Sequence, residues 1–118
     1  MWEVEYTDEF NEWFQSLDDN EQLAVARSVE GLQRTGPALG RPHADTIKAS
    51  RHSNMKELRT QYAGKPYRTF FAFDPRRSAI LLIGGCKAGD KDFYKRMIPV
   101  ADSLYDVYLS EIRKERLI

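Results

Sequence analysis

Residues 55–87 read MKELRTQYAGKPYRTFFAFDPRRSAILLIGGCK, and the fold of the chain turns on this stretch. Three β-prone runs, Met55–Tyr62, Tyr67–Phe73 and Ala79–Lys87, are separated by a turn containing Gly64 and by Asp74-Pro75-Arg76-Arg77. Connections this short predict an antiparallel meander. Ile80-Leu81-Leu82-Ile83 is apolar at every position, which predicts a central strand covered on both faces.

Upstream, Trp2, Val4 and Tyr6 alternate with Glu3 and Glu5, the period of a half-buried strand. Thr7 or Asp8 then offers a helix cap, and Phe10, Trp13, Phe14 and Leu17 lie on one helical face. Asp18 with Glu21 three residues later predicts a capping box for a second helix through Leu23, Val25, Ala26, Val29 and Leu32, stopped by Gly36-Pro37. Residues 36–54 read as a long loop, either functional or hiding a short element; its Arg41, His43, Lys48, Arg51 and His52 favour the first. Downstream, a short helix is expected from about Asp90 to Met97, with Pro99 as the first residue of a last helix striped by Val100, Leu104, Tyr105, Tyr108 and Ile112. The order strand, helix, helix, three strands, helix is that of an α+β layer: an N-terminal helical hairpin and a C-terminal helix on a small sheet.

The 118 residues support a single domain over 1–118, and 42% apolar content suffices for its core. The chain shows neither a membrane-length apolar run nor a signal-peptide opening, so the expected location is cytoplasmic, with no membrane partner. A lone cysteine, Cys86, excludes an internal disulfide and fits a reducing compartment. Net charge is zero but unevenly spread: −8 over residues 1–30, +9 over 31–99 and −1 over 100–118. A basic middle between acidic ends is either a phosphate-facing surface or chance segregation on a solvated one.

Side chains on a strand alternate with period two, so strand pairing can be drawn from the sequence. If Ala63-Gly64 is a two-residue turn, Tyr62 faces Lys65, Arg59 lies opposite Arg68 and Glu57 opposite Phe70. If the next loop is the four residues 74–77, Phe73 faces Ser78 and Arg68 pairs with Ile83. Glu57, Arg59, Arg68 and Lys87 then emerge on one face, while Leu58, Tyr67, Phe71, Phe73, Ile80 and Leu82 form the other, the expected core. Like charges opposite one another destabilise a ladder, and a bound phosphate would reverse that sign. RNA phosphoester cleavage needs a base for the 2′-hydroxyl, cations for the phosphorane and an acid for the leaving 5′-oxygen. Arg59, Arg68 and Lys87 suit the charge, and Glu57 or a perturbed lysine suits the base. Tyr94 suits a proton donor or a base-stacking platform. Ordinary surface ion pairing is the competing reading.

Other residues read more simply. His52 has the intrinsic pKa of a general base but the setting of a surface histidine, and His43 is weaker still. Two histidines and one cysteine without ligand spacing make a metal site improbable, and no cofactor is expected. Cys86 falls on the core face, and Gly84-Gly85 suits close backbone approach or a bulge better than a phosphate loop. Phe10, Trp13 and Phe14 read as core. Lys48, Arg51, His52, Lys56, Lys91 and Lys95 are candidate RNA or ribosome contacts.

Three segments carry a resemblance: Met55-Lys56-Glu57-Leu58-Arg59, Pro66–Asp74, and Leu82–Tyr94 with its Lys-x-Gly-Asp-Lys element. Together with Ile98–Tyr105 and the Glu-Phe-Asn-Glu-Trp-Phe opening at 9–14, they make the chain resemble the HigB branch of the RelE/ParE toxin superfamily. The resemblance covers nearly the whole chain. It implies a RelE-like fold, with helices against a small twisted, mostly antiparallel sheet and the N-terminal strand paired into it. It implies the toxin of a type II toxin–antitoxin system, a ribosome-dependent, metal-independent endoribonuclease that cleaves mRNA by 2′-hydroxyl attack and arrests translation. The family's basic active-site positions correspond to Arg59, Arg68 and Lys87, with Tyr94 a weaker correspondence. The implied partners are the ribosome, mRNA and a cognate helix-turn-helix antitoxin held in a hetero-oligomer. Two alternatives share the scaffold: a ParE-like inhibitor of DNA gyrase, which has no need of clustered phosphate ligands, and a non-toxic binding domain. Codon preference, the proton-transfer groups and the antitoxin-facing surface are not fixed by the sequence.

Overall fold

Strand β1 (Val4–Tyr6) leads through Thr7 into helix α1 (Asp8–Gln15). Thr7 is the cap: its hydroxyl oxygen accepts the Phe10 N–H at 3.0 Å and its O–H donates to the Leu82 carbonyl at 2.6 Å. The same side chain thus starts the helix and ties it to the sheet. Asp18 and Glu21 form the expected capping box of helix α2 (Asp19–Thr35), each side chain accepting from the other's backbone N–H. A short 3₁₀ turn, Gly36–Ala38, follows. Strands β2 (Ala44–Thr46), β3 (Lys56–Tyr62), β4 (Lys65–Phe73) and β5 (Ala79–Cys86) precede helix α3 (Phe93–Lys114). The computed structural model describes all residues, Met1–Ile118.

The five strands form one mixed sheet in the order β1-β5-β4-β3-β2. The meander β3-β4-β5 is antiparallel, and β1 runs parallel to β5. Ala63 and Gly64 both have positive φ, 52° and 75°, as a two-residue hairpin turn requires. The register that follows pairs Tyr62 with Lys65, Arg59 with Arg68 and Glu57 with Phe70, as the turn length predicts.

The second hairpin departs from expectation twice. Phe73 pairs with Ala79 rather than Ser78, so the connection has five residues. Asp74 explains this: its N–H bonds the Ser78 carbonyl at 2.8 Å, and its carboxylate accepts the N–H groups of Arg76 and Ser78 at 2.8 and 3.1 Å. Ser78 therefore belongs to the turn. Further along, Phe70 pairs with Ile83 but Phe71 with Leu81, leaving Leu82 as the extra residue of a β-bulge. The five-residue turn and the bulge each slide the register by one residue in the same direction, so Arg68 pairs with Gly85 instead of the expected Ile83, and the net slide of two restores the parity of the strand end.

The sheet is buried on both sides, which corrects the expectation of one core face and one charged face. Against α1 and α2, Leu58, Phe71, Ala79 and Leu81 pack with Phe10, Val25, Leu32 and Ala44. Against α3, Phe70, Ala72, Ile80 and Leu82 pack with Phe93, Ala101 and Tyr105. Ile80 and Leu82 thus lie on the face opposite Phe71 and Phe73. Gly84 is a site of close approach: a Cβ there would meet the Trp13 ring at 2.2 Å. Cys86 is half-buried, paired with Tyr67 in the ladder.

Two further expectations change. The loop 36–54 contains β2, an edge strand too short for a sequence period to show, which pairs antiparallel with β3. The separate helix over 90–97 is absent, and α3 is continuous with Pro99 inside it. Lys95 and Pro99 are both exposed, so the carbonyl that Pro99 leaves unserved lies where water reaches it. No helix is long and apolar enough to cross a membrane.

Candidate functional site

The register of β3 and β4 places Glu57, Arg59 and Arg68 on the α3 face near the helix's first turn, which carries Tyr94. Phe93 holds that turn down by stacking on Phe70 at 6.0 Å, and Tyr94 sits edge-on to the same ring at 6.2 Å. Glu57 is 3% exposed. A carboxylate this buried requires compensation. Its Oε2 accepts from Nε and Nη2 of Arg59 at 3.1 and 3.0 Å. Its Oε1 accepts the Tyr94 hydroxyl at 2.6 Å and lies 3.5 Å from Arg68 Nε.

Arg68 donates in addition to the Tyr94 oxygen at 3.3 Å and to the Tyr67 carbonyl at 3.0 Å. Lys87, just past β5, lies with Nζ 5.2 Å from the centre of the Tyr94 ring, a cation–π distance. Burial, reinforced by the bond to Glu57, pushes the Tyr94 phenol above its ordinary value. It is therefore a proton-bearing donor at neutral pH. Glu57, Arg59, Arg68, Lys87 and Tyr94 form one contiguous group with more positive than negative charge.

Asp45, which the sequence reading passes over, completes the surround. From β2 it accepts Arg41 Nε at 2.9 Å and faces Arg59 Nη2 at 3.4 Å. Its only sequence signal is position: Asp45 pairs with Glu57 across a strand hidden in the loop.

The other candidate contacts are dispersed. Lys56 points to the opposite face of the sheet, where Nζ donates to the Pro37 carbonyl at 3.1 Å. Strand parity requires this, because Lys56 is adjacent to Glu57, and it sets Lys56 apart from the Glu57 cluster. Arg51 and His52 are held by Asp106, His52 Nε2 at 2.7 Å, and the His52 ring lies edge-on to Tyr105. Asp106 is more than three turns beyond Tyr94 on α3, roughly 18 Å along the axis. Arg51 and His52 therefore fasten the loop to the helix, away from the cluster. Lys48 is exposed in that loop. Lys91 and Lys95 are exposed on the turn and first helical turn that carry Tyr94.

Residues 12–106 match the family described as "Phage derived protein Gp49-like (DUF891)". Over 99 residues the chain is 44% identical to "Putative toxin HigB3" of Mycobacterium tuberculosis (strain ATCC 25618 / H37Rv), covering 83% of this chain and 85% of that protein. Over 101 residues it is 43% identical to "Putative toxin HigB2" of the same organism, covering 84% of this chain and 50% of the relative, so the likeness spans half of that longer protein.

Proposed function

The chain belongs to the phage-derived Gp49-like family and groups with the HigB proteins, and from that premise we propose that it is the toxin of a type II toxin–antitoxin pair and cleaves mRNA on the ribosome. The fold is then a RelE-like one, and the partner is a helix-turn-helix antitoxin that silences the toxin in a hetero-oligomer. One observation carries the nuclease reading: a buried carboxylate, Glu57, holds two guanidinium groups and a phenol in one cluster with an unpaired lysine beside it.

The proposed step needs no metal. The RNA 2′-oxygen attacks the adjacent phosphorus, the P–O5′ bond breaks, and the products are a 2′,3′-cyclic phosphate and a free 5′-hydroxyl. Arg59 and Arg68 hold the charge that builds on the phosphorane. The Tyr94 oxygen takes the 2′-hydroxyl proton as its own proton passes to Glu57 Oε1 along the 2.6 Å bond. Lys87 gives a proton to the departing 5′-oxygen. The relay reconciles the raised phenol with a role in proton removal, because no free phenolate is required.

Primer extension on mRNA undergoing translation tests the reading. Wild type produces discrete cleavage ends, whereas Arg68→Ala and Lys87→Ala each lose about 10²-fold or more of that activity. Variants that cleave as well as wild type would remove these residues from the site. Inhibition of gyrase supercoiling by the purified protein, without RNA cleavage, would replace the nuclease with the gyrase reading.

A further inference from the structure

Two recesses open between α2 and the β3 end of the sheet, and they meet at Arg59. One, about 340 Å³, is lined by Arg27, Gly31, Arg34, His43 and Arg59 among others. The second, about 620 Å³, runs past Arg27, Ser28, His43 and Arg59 to Arg68. Neither recess has a carboxylate in its lining. Arg27 and Arg34 are exposed and make no salt bridge, unlike the arginines at 41, 51, 76 and 96. Seven residues apart, they lie on the same side of α2, about 10 Å along its axis. Gly31 between them leaves the floor open: the only group near the position of its absent Cβ is the Arg34 guanidinium, at 4.0 Å. His43 is fixed at the junction because its carbonyl accepts the Arg59 N–H at 2.8 Å.

We propose that this groove is the path of the RNA strand, with Arg27, Arg34 and His43 holding the sugar–phosphate backbone that runs on from the phosphate at Arg59 and Arg68. The inference rests on the nuclease reading of that cluster and extends it to residues outside the cluster. A single strand seated at Arg59 and Arg68 carries further phosphates away from the site, and these are held by cations along a positively charged groove. Arg27 is the only base among residues 1–30, which carry nine acids. Its position on two recesses that have no carboxylate in their lining turns an otherwise repelling surface into a track. Lys56, Arg51 and His52, engaged elsewhere, leave the track to α2. An acidic protein segment has matching charge, but the groove's continuity with Arg68 favours RNA.

The test uses the full chain and a short labelled single-stranded RNA, 2′-O-methylated throughout so that it cannot be cleaved, with anisotropy measured without ribosomes. R27Q/R34Q is expected to weaken binding by roughly tenfold and to lower the slope of log affinity against log salt by about 1.4, near 0.7 per lost phosphate contact. K114Q/R116Q, which removes the same charge from the end of α3, is expected to bind as wild type does. Failure of wild type to bind, an unchanged R27Q/R34Q, or an equal loss in K114Q/R116Q would each overturn the proposal. So would competition by polyglutamate of equal charge as strong as that by unlabelled RNA, which would reassign the groove to an acidic protein partner. Groove-dependent binding by a wild type that cleaves no mRNA would sink the nuclease reading and leave the groove standing.

Discussion

A carboxylate taken out of water needs donors on both oxygens, and Glu57 receives them from Arg59 and Tyr94, with Arg68 paired to it by charge at 3.5 Å. Each donor is oriented by the same acceptor, so the cluster is coupled rather than additive. Glu57→Gln keeps the shape and removes the charge that balances two guanidiniums. It is expected to cost roughly 2–3 kcal/mol in thermal or denaturant unfolding, below the usual 3–5 for breaking a buried pair because Arg59 keeps contact with solvent. Tyr94→Phe leaves the ring beside Lys87 and costs about 1 kcal/mol. If the proton relay operates, both changes lower the cleavage rate and the double variant is hardly slower than the worse single one. Multiplying losses would mean that the two residues act independently. The shared face of Glu57, Arg59 and Arg68 was legible because Ala63-Gly64 fixes one register and a strand has period two. Lys87 reached that face through two departures that together restore parity, a five-residue turn and the Leu82 bulge. Loop counting sees neither a side chain that draws Ser78 into a turn nor a bulge.

At the scale of elements, α3 is fastened along its length by polar groups that its apolar stripe does not reveal. Asp74 is buried at the β4–β5 turn, where it accepts from Tyr108 at 2.7 Å and from Arg76 at 3.0 Å. Arg76 reaches on to Glu5 of β1 at 2.7 Å, so one knot joins strand, turn and helix. Burial alone would push Asp74 up, but the bonds from Tyr108, the Ser78 N–H and Arg76 together outweigh it and hold the carboxyl below its ordinary 3.8. Burial first, then the bonds to Asp74 and Glu5, pushes the Tyr108 phenol above its ordinary 10.0. A depressed carboxyl contributes stability that is full above its unfolded value and fades as pH falls through the folded one. A raised phenol contributes stability that is full below its unfolded value and fades as pH rises. The knot is therefore strongest from about pH 5 to 9. Asp74→Asn is expected to flatten the acid limb of a stability–pH curve measured by chemical denaturation, and Tyr108→Phe the alkaline limb. An acid limb unchanged in Asp74→Asn would exclude this carboxyl as its source.

For the whole molecule, helices on both faces leave the sheet's edges as its exposed backbone. Strand β1 covers the edge of β5 in parallel, with Trp2 N–H bonded to the Gln33 carbonyl at 2.9 Å and its ring filling the space above Gly36. Removing residues 1–6 would uncover the β5 edge and an aromatic contact with Phe73 together. That deletion is expected to yield concentration-dependent association on size exclusion and a lower, broader melting transition. A sharp transition at the original temperature from a monomeric species would show that β1 is dispensable. Charge is also a whole-molecule property here: a chain of zero net charge brings Arg59, Arg68 and Lys87 together, while every charged residue of α1 is an acid.

The sequence by itself determined what depends on neighbours along the chain. Thr7 and the Asp18–Glu21 box set the starts of two helices, and Ala63-Gly64 set the β3–β4 register. The alternation that followed put Glu57 with both arginines. These are short-range consequences of capping, turn chemistry and side-chain period. The tertiary structure alone decided that the charged face is also a core face, that β1 lies parallel beside β5, and that a three-residue β2 brings Asp45 to Arg59. It also carried α3 through Pro99 and set Arg27 and Arg34 on the recesses that meet at Arg59. Each of these depends on what packs against what across distant segments, and pairing energy of that kind leaves no period in the sequence to read.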